Sequence, residues 1–150
     1  MNYKKILIAI DDRENSTNVA EKGFELADQL NAEVGIVYAI DLSTVIRNYD
    51  MINPELGLFI KESIVESKEN ANKAIDKLIK NFGKDHKTTR FTPEGHPREL
   101  ILDIAEKWEA DLIIIGLHGK SGLGIFFMGS ISQYISLHSK VPVLIVPQKE

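Results

Sequence analysis

The residues best suited to chemistry lie in one stretch, Gly116-Leu117-His118-Gly119-Lys120-Ser121-Gly122-Leu123-Gly124-Ile125-Phe126-Phe127-Met128-Gly129-Ser130. The apolar run Leu112-Ile113-Ile114-Ile115 leads into it, and a helix-like segment from Ile131 to His138 leads out. Glycine admits positive φ and lets backbone approach a ligand closely. Successive N–H groups in such a loop form a concavity that binds anions. Gly129-Ser130 then opens a helix, whose first N–H groups lack internal partners and attract negative charge. The chemistry on offer is the holding of phosphate. Two phosphate motifs fail here. Gly119-Lys120-Ser121 ends like a P-loop, but Ile114 stands where the first glycine of that motif belongs. Gly122-Leu123-Gly124 has Phe127 in place of the third glycine of the dinucleotide fingerprint and does not directly follow a strand. What remains is Gly116, Gly119, Gly129 and Ser130; the alternative is a loop whose glycines serve only for turning.

Catalytic and metal signals are weak. There is no Gly-x-Ser-x-Gly elbow and no kinase signature. No residue of the loop is an obvious base, so no catalytic residue is assigned. The histidines His86, His96, His118 and His138 show no i, i+4 helical pairing and there is no cysteine, so no protein-held metal is expected.

The elements that must position this loop follow from periodicity. Ile6 to Ile10 is a continuous apolar run, as expected of a central parallel strand covered on both faces. It ends in Asp11-Asp12, and Asn15 or Ser16 is suited to cap the next helix. Val19, Ala20, Gly23, Phe24, Ala27 and Leu30 mark one face of that helix. Val34 to Ile40 reads as a second strand and Asp41 to Pro54 as irregular. A long helix is expected over Glu55 to Phe82, with Gly83 as its terminating glycine. Thr88 to Thr92 reads as a strand near the sheet edge, and Glu94-Gly95-His96-Pro97 as a turn that opens a helix at Pro97. Leu100, Ile101, Ile104, Ala105 and Trp108 line that helix. Asp111 to Ile115 and Val143 to Val146 are the last two strands, the latter between Pro142 and Pro147. Alternating strands and helices define an α/β fold: an open five-stranded parallel sheet with helices on both faces, Rossmann-like in layout. In such sheets ligands sit beyond the carboxyl ends of strands, where the winding reverses.

Composition narrows the class. A chain of 150 residues, 43% hydrophobic and 27% charged, suits one soluble domain over residues 1–150. The net charge of −4 argues against nucleic acid as a partner. Ile6 to Ile10 is too short for a signal peptide or a membrane span, so a cytoplasmic protein without membrane contact is expected.

The spacing Gly116, two residues, Gly119, nine residues, Gly129-Ser130 resembles the nucleotide-binding motif of the universal stress protein family, in its ATP-binding branch. The resemblance covers nearly the whole chain. Ile8-Ala9-Ile10-Asp11 is similar to the family's first strand and aspartate, and Glu94-Gly95-His96-Pro97 to its Gly-x-Pro turn. Ala110 to Gly116 and Val141 to Val146 are similar to its last two strands. Asp12 stands where a glycine is common, and Leu117 where a small polar residue is common. Both flank the expected site and bear on base or ribose fit.

The resemblance implies strand order 3-2-1-4-5, with the reversal between the first and fourth strands. It implies an ATP site, with ADP or AMP as alternatives and Mg²⁺ held mainly by phosphates. Asp11 would accept hydrogen bonds from the adenine or ribose side; otherwise it is a helix-capping acid. The Ala39 backbone would meet adenine; otherwise Ala39 is core. Gly116 and Gly119 would pass close to ribose and phosphates, and Gly129 and Ser130 would offer N–H groups and a hydroxyl to the outer phosphates. His118 lines the nucleotide or is solvated, and Lys120 reaches phosphate or is solvated. Ile115 and Ile131, which flank the loop, complete the expected binding set. Ile125 to Met128 would lid the site or meet a partner. The family also implies a homodimer through Val143 to Val146 and protein partners of unknown identity. The expected function is a nucleotide-dependent stress-response homodimer; a slow ATP hydrolase or phosphoryl-transfer enzyme and a nucleotide-free interaction module are the rivals.

Overall fold

In the computed structural model, residues 2–43, 55–117 and 129–149 are described. The order is β1 (Lys5–Ile10), α1 (Asn15–Leu30), β2 (Glu33–Tyr38), β3 (Ile40–Asp41), α2 (Leu56–Phe82), β4 (Thr88–Phe91), β5 (Glu94–Gly95), α3 (Pro97–Lys107), β6 (Leu112–Gly116), α4 (Ser130–His138) and β7 (Val143–Val146). Five parallel strands form one sheet in the order β4-β2-β1-β6-β7. Counting only these five, the order is 3-2-1-4-5, as expected.

The central strands explain the layering. In β1, Ile8 lies between Ile36 of β2 and Ile114 of β6, and Ala9 between Val37 and Ile115. Side chains alternate across a strand. Ile6, Ile8 and Ile10 therefore join a core with Val19, Phe24 and Ala27 of α1 and Ile75 and Leu78 of α2. Leu7 and Ala9 join a second core with Ile101 and Ala105 of α3 and Ile135 of α4. Among the described residues two helices thus cover each face, and every residue of the apolar run is buried. Each isoleucine so buried contributes about 1.5–3 kcal/mol.

Several local expectations are corrected. The Val34–Ile40 strand stops at Tyr38, and Ile40–Asp41 pairs instead with Glu94–Gly95 in a separate two-stranded parallel sheet. The segment read as a turn is therefore partly β5. Gly95 has φ +144°, which side chains rarely adopt, so glycine is required where β5 turns into α3. Pro97 does occupy the first turn of α3. Neither Asn15 nor Ser16 caps α1; Glu14 holds the cap position without a side-chain hydrogen bond. Both side chains are engaged elsewhere. Gly83 follows α2 but has φ −113°, not the left-handed cap. Its lack of a side chain is explained by packing: an added Cβ would stand 2.7 Å from the Phe24 ring. Leu30 is 41% exposed, so the buried face of α1 ends at Ala27.

Candidate functional site

The β1 and β6 ends diverge at the point where the sheet reverses its winding. Between them lies a cavity of about 450 Å³. It is lined by Ala9, Asp11, Ala39, Ile115, Gly116 and Ile131 among others, so residues from six separate parts of the chain, α2 and α3 included, converge there. Cavities of this size are ordinary for small-ligand sites. The parallel sheet accounts for the convergence, because all strands deliver their carboxyl ends to one rim.

The walls differ in character. On the side of α3 and α4, Ala9, Ala39, Ile101, Ile115 and Ile131 give an apolar surface. On the side of α1 and α2, Asp11, Asp12, Tyr38, Ser67 and Asn70 bring polar groups beside Ile10 and Val19. Among the described lining residues, Asp11, Asp12 and Asp41 face a single cation, Arg13. This wall repels phosphate and favours hydrogen-bond donors.

Asp11 is held by its own loop. Its Oδ1 accepts from Arg13 N–H at 2.9 Å, and Arg13 Nε lies 3.9 Å from Oδ2. Ser16 Oγ accepts from Asp11 N–H at 2.9 Å and lies 2.9 Å from Asp11 O, where it donates. The Asp11 carboxylate closes a turn before α1, and the cap position of α1 belongs to Glu14. Tyr38 sits at the end of β2, where burial first, and then the charges of Asp12 and Asp11, push its phenol above the ordinary value of 10.0. It faces the cavity as a protonated donor at neutral pH.

At Gly116 the missing side chain makes room for protein. An added Cβ would meet Asn15 Nδ2 at 2.7 Å and Val19 Cγ2 at 2.9 Å. Asn15 Nδ2 donates to Val146 O at 3.2 Å and to Leu117 O at 3.4 Å, tying the ends of β6 and β7 to α1.

Gly129 and Ser130 stand at the mouth of α4. Gly129 is the cap residue with extended backbone and Ser130 the first helical residue, so Ser130 is not the cap. The first bond within the helix runs from Gln133 N–H to Gly129 O at 2.9 Å, which leaves the N–H groups of Ser130, Ile131 and Ser132 ahead of it. The Arg98 guanidinium of α3 lies 4.5 Å from the Tyr134 ring centroid and braces α4 one turn further in. His118, Gly119, Lys120 and the cluster Ile125 to Met128 lie outside the described residues, as does most of Asp41 to Pro54.

Sequence reading missed Tyr38, Ser67 and Asn70. Ser67 carried a signal: it interrupts the apolar stripe Ile60, Ile64, Ala71, Ile75 of α2 at the level of the cavity. Tyr38 carried none, because a tyrosine ending a strand is ordinary. Among the described residues no group of three or more His, Asp or Glu is arranged to hold a metal ion.

A parallel sheet of this order, with a cavity at its switch point, defines a class of α/β proteins that hold small ligands at strand ends. Comparison narrows the class. The model of the universal stress protein family matches residues 2–147, and the chain belongs to that family. It is 33% identical to universal stress protein MJ0531 of Methanocaldococcus jannaschii, over 99% of this chain and 85% of that protein. MJ0577, from the same organism, has a solved structure that superposes with a TM-score of 0.84 at 26% identity, covering 100% of this chain and 99% of that one. More distant structures with the same fold include a universal stress protein in complex with cAMP (21% identity, TM-score 0.66, covering 99% of this chain and 100% of that one). Another is an Archaeoglobus fulgidus universal stress protein in complex with dAMP (20% identity, TM-score 0.63, covering 97% and 98%).

Proposed function

We propose that this chain binds an adenine nucleotide, ATP foremost, in the cavity between the ends of β1 and β6. One observation carries the reading: the cavity is apolar on one wall and hydrogen-bonding on the other. The apolar wall of Ala9, Ala39, Ile115 and Ile131 suits a purine face. Asp11 and Tyr38 suit the donors and acceptors of base and ribose. Negative charge on the Asp11 wall directs the phosphates away from it, toward the leading N–H groups of α4 and the glycine spacing Gly116, Gly119, Gly129, Ser130. Mg²⁺ would then be held mainly by phosphate oxygens and water. ADP and AMP fit the same arrangement, and the cAMP and dAMP complexes of relatives support adenine as the base.

The full reading is a cytoplasmic stress-response homodimer, one domain per chain, whose partner contacts change with nucleotide state. The open edge of β7 is its dimer surface. No residue is assigned a catalytic role. Mass spectrometry of ligand released from the denatured protein identifies the nucleotide. Titration calorimetry then compares the wild type with Gly129→Asp and Ser130→Asp, each of which sets a carboxylate where phosphate is expected. Both variants should lose ATP binding while keeping the fold; unchanged affinity in either overturns the site.

A further inference from the structure

Two buried asparagines on α1 connect the cavity to the outer edge of the sheet. Asn15 and Asn18 are 6% and 9% exposed. They are three residues apart and so share a helix face. Asn15 lines the cavity between β1 and β6. Asn18 lines a groove of about 630 Å³ along β7, with Leu26, Leu144 and Pro147. Asn18 Nδ2 donates to Pro147 O at 3.1 Å and lies 3.5 Å from Asn15 Oδ1. Val146 O accepts twice, from Asn15 Nδ2 at 3.2 Å and from Leu117 N–H at 2.8 Å. Leu117 N–H beyond β6 and the Asn15 amide of α1 therefore share one oxygen atom at the end of β7, and the Asn18 amide holds the next carbonyl, Pro147 O.

The amide orientations are dictated by their partners. The carbonyls of Leu117, Val146 and Pro147 only accept, so each Nδ2 must face them. Among the described residues, Asn18 Oδ1 is then left buried without a hydrogen-bond partner. A buried acceptor without a donor carries an unrecovered desolvation cost. Turning the Asn18 amide alone would set its Oδ1 against the oxygens of Pro147 and Asn15. Asn18 can therefore turn only together with the Asn15 amide, which would then present Nδ2 in place of Oδ1.

We infer that Asn15 and Asn18 are positioning residues that couple the occupancy of the cavity to the geometry of the β7 edge. The inference rests on the nucleotide reading above and concerns how that site is connected to the rest of the fold. A ligand that presses on Asn15 or shifts the Leu117 carbonyl changes the acceptors open to the Asn15 amide. Asn18 then reorients, releases Pro147 and alters the end of β7. Gly116 allows this, because its missing Cβ leaves room for the Asn15 amide.

The test is hydrogen exchange of the backbone amides of residues 143–146, 148 and 149 in the full chain, with and without saturating ATP and Mg²⁺. Calorimetry measures ATP affinity in parallel. In the wild type, ATP should change exchange at the β7 edge by about fivefold or more, the lower end of coupling between sites. Asn18→Ala should bind ATP within about twofold of the wild type yet lose that response, since Asn18 lies away from the cavity wall. Asn18→Ser serves the same purpose if the alanine variant does not fold. In the wild type alone, the side-chain amide resonances of Asn15 and Asn18 should both shift on adding ATP. A wild type that binds ATP with an unmoved edge, or a variant that keeps the response, overturns the inference. A wild type that binds no adenine nucleotide overturns the nucleotide reading itself, a result seen in the calorimetry before any exchange is measured.

Discussion

Gly116 and Asn15 fill the same space: a Cβ on the glycine would stand 2.7 Å from the asparagine Nδ2. The glycine that ends β6 is therefore required by packing within the protein, independently of any ligand. Gly116→Ala must displace Asn15 from Val146 O and Leu117 O, or bend the end of β6. Overpacking of this kind costs about 1–3 kcal/mol. For a chain of this size each kcal/mol lowers Tm by about 2–4 °C. Thermal unfolding followed by circular dichroism checks it, and an unchanged Tm would show that Asn15 moves aside freely.

Tyr38 provides a pH prediction. Burial is the larger cause of its raised value and the carboxylates of Asp12 and Asp11 follow. The folded protein holds the phenolic proton more tightly than the unfolded chain, whose tyrosines titrate near 10. The stability this confers is complete below about pH 10 and is lost as pH rises through the folded value. Ultraviolet titration of the wild type against Tyr38→Phe should isolate one phenol that ionises above 10. Asp12→Asn should lower that midpoint without returning it to 10, because the burial remains. A Tyr38 midpoint at 10 in the wild type would refute the placement of the phenol.

At the opposite end of the sheet, Asp111 joins the starts of β1 and β6. Its Oδ2 accepts from Lys4 N–H at 2.7 Å and from Lys5 N–H at 2.9 Å. Its own N–H donates to Lys5 O at 2.8 Å. Asp111→Ala strips an acceptor from two backbone donors and should cost about 1–3 kcal/mol, toward the lower end because the site is partly solvated. Asp111→Asn keeps an oxygen there and should recover about half of the loss. Urea denaturation measures both. Equal stability of all three proteins would mean that water replaces the carboxylate at no cost.

The layered sheet was legible because its central strands are unbroken apolar runs. Ile6 to Ile10 and Leu112 to Ile115 admit no amphipathic reading, and an element buried on both faces in an alternating chain must be a parallel strand. The cavity was half legible. The switch-point rule located its rim, and Asp11, Ala39, Ile115, Gly116 and Ile131 do converge on it. What stayed hidden depends on tertiary approach. The meaning of Gly116 and Gly83 lies in side chains distant in sequence, Asn15 and Phe24. The β3 and β5 pairing is two residues long, too short to leave a periodic trace. Ser16 looked like a cap because its type suits a cap, and only its contact with Asp11 shows its use.

The β7 edge tests the dimer reading. Val143 and Ile145 pack against the core beneath α3 and α4. Leu144 faces the other way, in register with Ile114 of β6. Ile114 is fully buried, yet Leu144, one strand further out, is 41% exposed. An apolar side chain uncovered on an open edge strand invites pairing with a second copy. Leu144→Lys places a charge on that edge, a device by which edge strands resist association. The variant should keep the wild-type fold by circular dichroism, since Leu144 contributes little to the core of one chain. Sedimentation should show a dimer for the wild type and a monomer for the variant at the same concentration. If the two sediment alike as dimers, the chains associate through another face. If both sediment as monomers, the exposed leucine serves some contact other than self-association.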